Sequence, residues 1–328
     1  MLVIFRLVTM MTYFPLTDES IPATMLGIAL STVVQCVLVI PVILLANSGR
    51  NVLSEMHSGT KIAGGIIAAC YFLYIAFVGG SSVSHFVIFV KDAFLEKVSI
   101  AVGIAAALAV AVYGAYCGIR GIMRSSVIAV FVFAVIMIVL AVSSVGETAP
   151  SEILVYRGIT LKSVISATLT DLSRGGELVI LSLLLFCTGK PRSAGYGYIA
   201  TRLVVTEGIV FLLAAVLGGY INIAKYPFYA IGTFGNALHL EGVFFVMWCV
   251  FAEIRLALIV FLLGDILSGF FPKLPARLIL SGVAVAACAL PFIFGGVSPS
   301  ALQALSVVLL SAVVPFVAAI MSEKRKEA

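Results

Sequence analysis

The chain has 328 residues, 62% of them hydrophobic and 11% charged, with a formal net charge of +5 and a mean hydropathy of +1.22. A soluble domain of this length needs far more polar surface, so the composition excludes one. The apolar runs are continuous and about 20 residues long, enough to cross a hydrocarbon core of about 30 Å, and they exclude a β-barrel, whose strands alternate with period two.

Ten spans follow in chain order: 2–15, 22–46, 62–90, 99–119, 126–146, 163–188, 196–219, 241–268, 276–294 and 299–321. They describe an all-α polytopic membrane protein with about ten transmembrane helices. Residues 1–328 form a single transmembrane domain, with a first five-helix half at 1–146, a second at 163–321 and a tail at 322–328. The first span is short, since a helix over 2–15 rises only about 21 Å. No basic segment precedes it and no A-x-A site follows, so a signal peptide is not expected.

Loop charges orient the chain. With the N-terminus cytoplasmic, the inner connections carry Arg50, Lys61, Arg120, Arg124, Lys190, Arg192, Lys273 and Arg277, and the tail adds Lys324, Arg325 and Lys326. The outer connections carry Lys91, Lys97, Arg157, Lys162 and Lys225. The excess of bases inside places both termini in the cytoplasm. These loops also account for the net charge, so no nucleic-acid partner is implied.

Five spans per half make the second half inverted relative to the first. In transporters of that design the site lies where the first helix of each half is interrupted near the midplane. The two candidate interruptions occupy corresponding positions, VTMMTYFPLT at 8–17 and TDLSRGGELV at 170–179. The second holds Asp171, Arg174 and Glu177 beside Gly175 and Gly176. A continuous helix would bring the three charges to one face, where they would neutralise one another. The glycine pair argues instead for a helix that unwinds near 173–176 and lines a ligand cavity.

Seven ionisable residues are read as intramembrane charges: Arg6, Asp171, Arg174, Glu177, Glu207, Glu253 and Arg255. Each costs about 2.5–3.5 kcal/mol at a helix centre, so each should face the interior, pair or line water. Glu253 is expected to line the cavity, pairing with a base such as Arg6 or taking a proton. Glu207 is expected to make an interhelix bond. Arg202 lies closer to the cytoplasmic end and is expected to reach the interface. Arg174 suits a carboxylate, and Asp171 or Glu177 an amine, which together suit a zwitterion.

Three further readings concern chemistry. The stretch FVGGSSVSHF at 77–86 reads as close helix packing through small residues. Ser81 and His85 are four apart but have no oxyanion hole or third group beside them, so no enzyme is expected. Cys36, Cys70, Cys117, Cys187, Cys249 and Cys288 lie in different runs without a CxxC, and His57, His85 and His239 share no ligand spacing. No metal and no cofactor follow from them.

Two stretches carry a family resemblance: FRLVTMMTYFP at 5–15, and YPFYAIGTFGNALHLEGVFFVMWCVFAEIRLALIVFLLGDIL at 226–267. With ten spans and a short basic tail, the chain resembles the spore germination permeases, the B subunits of germinant receptors in the amino acid–polyamine–organocation superfamily. The resemblance implies a LeuT-like 5+5 inverted repeat with broken first and sixth helices. It implies a small germinant, often an amino acid, bound between those helices, with Thr9, Thr12 and Tyr13 facing Ser173, Gly175 and Gly176. The glycine backbone would meet a carboxylate and the hydroxyls would orient it. Receptor A and C subunits in the spore inner membrane are the implied partners, with the surrounding lipid bilayer. One position departs from the pattern, Gly242, where an Arg usually follows the Glu that opens the eighth span. A proton- or sodium-coupled amino acid transporter is the alternative function.

Overall fold

The computed structural model describes residues 1–12, 20–49, 61–93, 99–143, 159–222, 224–234, 241–271 and 301–327, with isolated positions at 52, 273, 275, 279, 282, 283 and 286. All regular structure among the described residues is helical. In chain order the helices are α1 (Leu2–Thr12), α2 (Ile21–Leu38), α3 (Ile40–Asn47), α4 (Lys61–Ala93), α5 (Ile100–Tyr116) and α6 (Gly118–Ser143). Then come α7 (Leu161–Ser173), α8 (Gly176–Leu184), α9 (Pro191–Leu217), α10 (Pro227–Phe234), α11 (Glu241–Phe270), α12 (Ala301–Val308) and α13 (Val314–Glu327).

Among the described residues six helices are long and apolar enough to cross a membrane: Ile21–Asn47, Gly64–Asp92, Gly118–Val142, Pro191–Leu217, Glu241–Phe270 and Gln303–Ile320. Leu2–Met11, Ile100–Tyr116 and Gly176–Cys187 are shorter apolar helices. These segments coincide with nine of the ten sequence-derived spans; the remaining one, 276–294, falls largely outside the described residues. One boundary moves. The expected loop over 120–125 is the start of α6, because Gly118 at φ +73° turns the chain and the new helix starts at once. Arg120 and Arg124 therefore stand on its first turns.

The helices differ in how far they face inward. The most apolar stretch of α11 is 67% buried, whereas that of α6 is 22% buried. Helix α11 is the hub, packing against α1, α4, α5, α6 and α10. Gly79 on α4 lies against Ile259 of α11, and Gly114 on α5 lies against Ala257; a Cβ would meet those side chains at 2.8 and 2.7 Å. Gly79 in FVGGSSVSHF thus serves close packing.

Helix α2 is amphipathic in the sense suited to lipid. Its buried face is small and polar: Thr24, Gly27, Ile28, Ser31, Thr32 and Gln35 recur at helical spacing. Its other face shows Leu26, Leu30, Val33 and Val37. The buried face lies on α7, where a Cβ at Gly27 would stand 2.5 Å from Ala167 Cβ and 3.0 Å from the α7 backbone. This close approach brings the polar stripe of α2 to the end of α7.

A buried ion cluster at an interrupted helix

Helix α7 starts sharply. Thr160 and Ser163 form a reciprocal capping box, with backbone N–H groups donating to side-chain oxygens at 3.1 Å in both directions. Thirteen residues later it stops. Arg174 (φ −86°, ψ 1°) and Gly175 (φ −75°, ψ 30°) leave the helical path, and α8 begins at Gly176. On either side the chain makes one tight turn, Gly175 N–H to Leu172 O and Leu178 N–H to Gly175 O, both at 2.9 Å. Neither glycine is required by its dihedral angles; space requires them. A Cβ on Gly175 would meet the Leu172 carbonyl at 2.9 Å, and one on Gly176 would meet the Tyr74 hydroxyl at 3.1 Å. The interruption read from the sequence therefore exists, at the residues expected.

The charges at the break are buried and paired across the fold. Asp171, on the last turn of α7, accepts from Arg6 of α1 through Oδ1, and from Arg202 Nη2 of α9 through Oδ2 at 2.6 Å. Glu177, on the first turn of α8, accepts from Arg202 Nε at 3.0 Å. Arg6 Nε donates to Thr206 Oγ1 at 3.2 Å, and Arg202 Nη1 reaches Thr32 Oγ1 at 3.5 Å. With its amide turned to satisfy both groups, Gln35 Oε1 accepts from Arg202 Nη2 and Nη1 at 3.1 and 3.2 Å and from Ser31 Oγ at 3.0 Å. Arg6, Asp171, Glu177 and Arg202 are each no more than 2% exposed. Two guanidinium groups thus face two carboxylates, and the cluster is neutral as a unit.

Two assignments made from the sequence are corrected. Arg202 does not reach the interface; it is fully buried, because its position on α9 faces α2 and the break. Arg6 pairs with Asp171 and not with Glu253, because the inner face of α1 turns Arg6 toward α9 and the break while Glu253 stands on α11. Gln35, Thr32 and Thr206 completed the site unforeseen. Neutral polar residues recur in all the spans, and only the face shared by Thr24, Ser31, Thr32 and Gln35 could have singled α2 out.

The other candidate residues are dispersed. Thr9 is buried on α1; its hydroxyl donates to Phe5 O at 2.8 Å and accepts from Arg255 Nη1 at 2.9 Å. Arg255 also donates to Phe5 O at 3.3 Å and lies 4.9 Å over the Phe5 ring, so it joins α11 to α1. Ser173 Oγ donates to Thr170 O at 2.8 Å. Arg174 is half-buried at the break itself. Glu253 is half-buried on α11, and its Oε2 has no hydrogen-bond partner among the described residues. Thr12 closes α1, but its side chain lies outside the described residues, as does all of Tyr13. His85 Nδ1 lies 2.6 Å from the Ser81 carbonyl and 3.4 Å from Ser81 Oγ, which engages the imidazole with its own helix. Among the described residues no three His, Cys, Asp or Glu side chains are grouped to hold a metal.

A second polar contact lies at the far end of α4. Asp92 accepts from Lys225 Nζ at 2.5 Å and from Tyr226 Oη at 3.0 Å, on the exposed surface. Beneath it Phe89 meets Tyr226 and Trp248 edge to face, at ring-centroid distances of 4.7 and 3.8 Å.

A family model described as a spore germination protein matches residues 23–226, which include the polar face of α2, both sides of the break and all of α9. No curated protein matches the chain.

Proposed function

The chain belongs to the spore germination protein family, and from that premise we propose that it is the ligand-binding membrane subunit of a germinant receptor. The ligand is a small zwitterion, such as an amino acid, and it binds at the interruption between α7 and α8. One observation carries this reading: four fully buried ions from α1, α7, α8 and α9 meet at a helix break. A buried ion pair is a poor source of net stability, since desolvation offsets most of the attraction. A zwitterion brings the same two charges. Its ammonium can replace a guanidinium on Asp171 or Glu177, and its carboxylate can meet Arg174 and the N–H groups that open α8. Gly176 and Glu177 open α8, so the helix dipole favours the carboxylate there. Ser173, Arg174 and Gly175 lie at the break itself, and Thr9, Thr12 and Tyr13 are proposed to complete the site from the first span. Ligand that binds the rearranged cluster better than the closed one shifts the equilibrium toward it, and the A and C subunits read that shift.

Helix contacts support a LeuT-like 5+5 repeat. Exchanging the halves turns the contact of α1 with α9 into that of α7 with α2, and the contact of α1 with α6 into that of α7 with α12; all four occur. The contacts of α2 with α9 and of α4 with α11 map onto themselves. In this arrangement both termini are cytoplasmic, and the receptor sits in the spore inner membrane.

The test is equilibrium binding of a panel of radiolabelled amino acids to the receptor in nanodiscs. Saturable binding of at least one member is expected, with loss of more than about tenfold in affinity on Asp171→Asn, and with no accumulation in proteoliposomes. Failure of the folded complex to bind any member would overturn the reading. One observation favours coupled transport as the second reading: the Glu253 carboxyl, half-buried on α11 with no partner for its Oε2 among the described residues, is a group a proton could visit. Uptake against a gradient that Glu253→Gln abolishes would establish that reading instead.

A further inference from the structure

Glu207 is an ionisable side chain on α9 that the cluster does not use. It follows Thr206, whose hydroxyl accepts from Arg6 Nε at 3.2 Å. It is half-buried, and its Oε2 lies inside the protein with no hydrogen-bond partner among the described residues. A carboxyl left with an unused acceptor inside a membrane span is costly unless some state of the protein uses it. Arg6 already bridges α1 to α7 through Asp171 and to α9 through Thr206. Its planar guanidinium carries five donors, so with Nε–H on Thr206 the Nη groups remain to meet a second acceptor.

We propose that Glu207 is the alternative partner of Arg6: when a ligand ammonium takes Asp171, the Arg6 guanidinium transfers to Glu207. This rests on the zwitterion site proposed above and supplies its switch. In the closed state Arg6 ties α1 to the end of α7. In the liganded state it ties α1 to α9, and the break is released from α1. No buried cation is left alone in either state, which makes the exchange affordable inside a membrane. Glu207 touches no ligand; it is a positioning residue acting through Arg6.

The experiment needs no ligand. Asp171→Asn removes the charge that holds Arg6 in the closed state, as a ligand ammonium would neutralise it. Thermal unfolding is measured in nanodiscs for the wild type, Glu207→Gln, Asp171→Asn and the double variant. The exchange predicts a strongly non-additive cycle: Glu207→Gln shifts Tm little in the wild type and lowers it clearly in the Asp171→Asn background. Additive shifts would overturn the proposal, because a merely structural Glu207 would cost the same in both. If Asp171→Asn does not fold, Arg6→Lys replaces it. Lysine keeps the charge but lacks the fork that holds Thr206 and reaches Glu207 together. A folded Arg6→Lys variant is then expected to show no effect of Glu207→Gln on ligand response, and an effect equal to that in the wild type would overturn the proposal. Where the amino acid panel binds, Glu207→Gln should weaken the best member several-fold while leaving the unliganded Tm unchanged. Binding that is intact in Glu207→Gln refutes the switch alone; absence of binding in the wild type refutes the site, and the double-variant cycle still decides the exchange.

Discussion

Two ionic contacts in this molecule use the same chemistry and differ in everything that decides its worth. The Asp92–Lys225 bridge joins the end of α4 to the segment before α10 with side chains 34% and 69% exposed, whereas the Arg6–Asp171–Arg202–Glu177 cluster is sealed to within 2%. Water screens the first, and either partner is readily solvated when the other is lost. In the second, losing Arg202 strands Glu177 and losing Asp171 takes the carboxylate from Arg6, while Asp171 and Arg202 are each held by more than one neighbour. Length and charge are shared, so burial alone separates a local strap from a junction on which four helices depend.

The contrast is broken most severely by Arg202→Gln, which leaves Asp171 with one cation and Glu177 with none. A loss of about 3–5 kcal/mol is expected, read as a large fall in Tm or as protein that no longer elutes as a single species. Gly27→Val tests whether the cluster depends on the contact that delivers the stripe of α2. Its Cβ would overlap Ala167, and an overpacking cost of about 1–3 kcal/mol should appear in the same melt. Arg255→Gln removes a cation that donates to Thr9 and Phe5 O. About 1.5 kcal/mol is expected, together with faster hydrogen exchange confined to α1. Lys225→Ala should shift Tm by no more than about 2 °C, and less at high salt. The comparison sharpens when polarity is reversed. Asp92→Lys with Lys225→Asp should melt like the wild type, while Asp171→Arg with Arg202→Asp should not recover, because Arg6, Glu177 and Gln35 would then face the wrong sign.

Sequence reasoning went furthest where membrane physics is strictest. A carboxylate in an apolar run is rare enough to announce a site, so Asp171 and Glu177 could be named, and the adjacent glycines located the break. Facing was harder to read. Arg202 was assigned by its depth along α9, and depth does not say which side of a helix a residue occupies; the side was inward. Of the two expectations for Glu253, a base such as Arg6 or a proton, the first is excluded for Arg6, which pairs with Asp171, because the relative rotation of α1 and α11 is a tertiary property. Gln35 and Thr32 carry no charge, and neutral polar residues recur in all the spans, so they carried no signal until α2 was seen against α7.

The cluster also sets a condition on biogenesis. Its members are Arg6, Asp171, Glu177 and Arg202, so the cation of α1 leaves the ribosome long before any of its partners exists. An unpaired arginine at a helix centre costs about 2.5–3.5 kcal/mol on insertion scales. Until α7 enters the bilayer, Arg6 lacks the carboxylate that holds it in the finished fold, so the pairing of α1 is a late step in assembly.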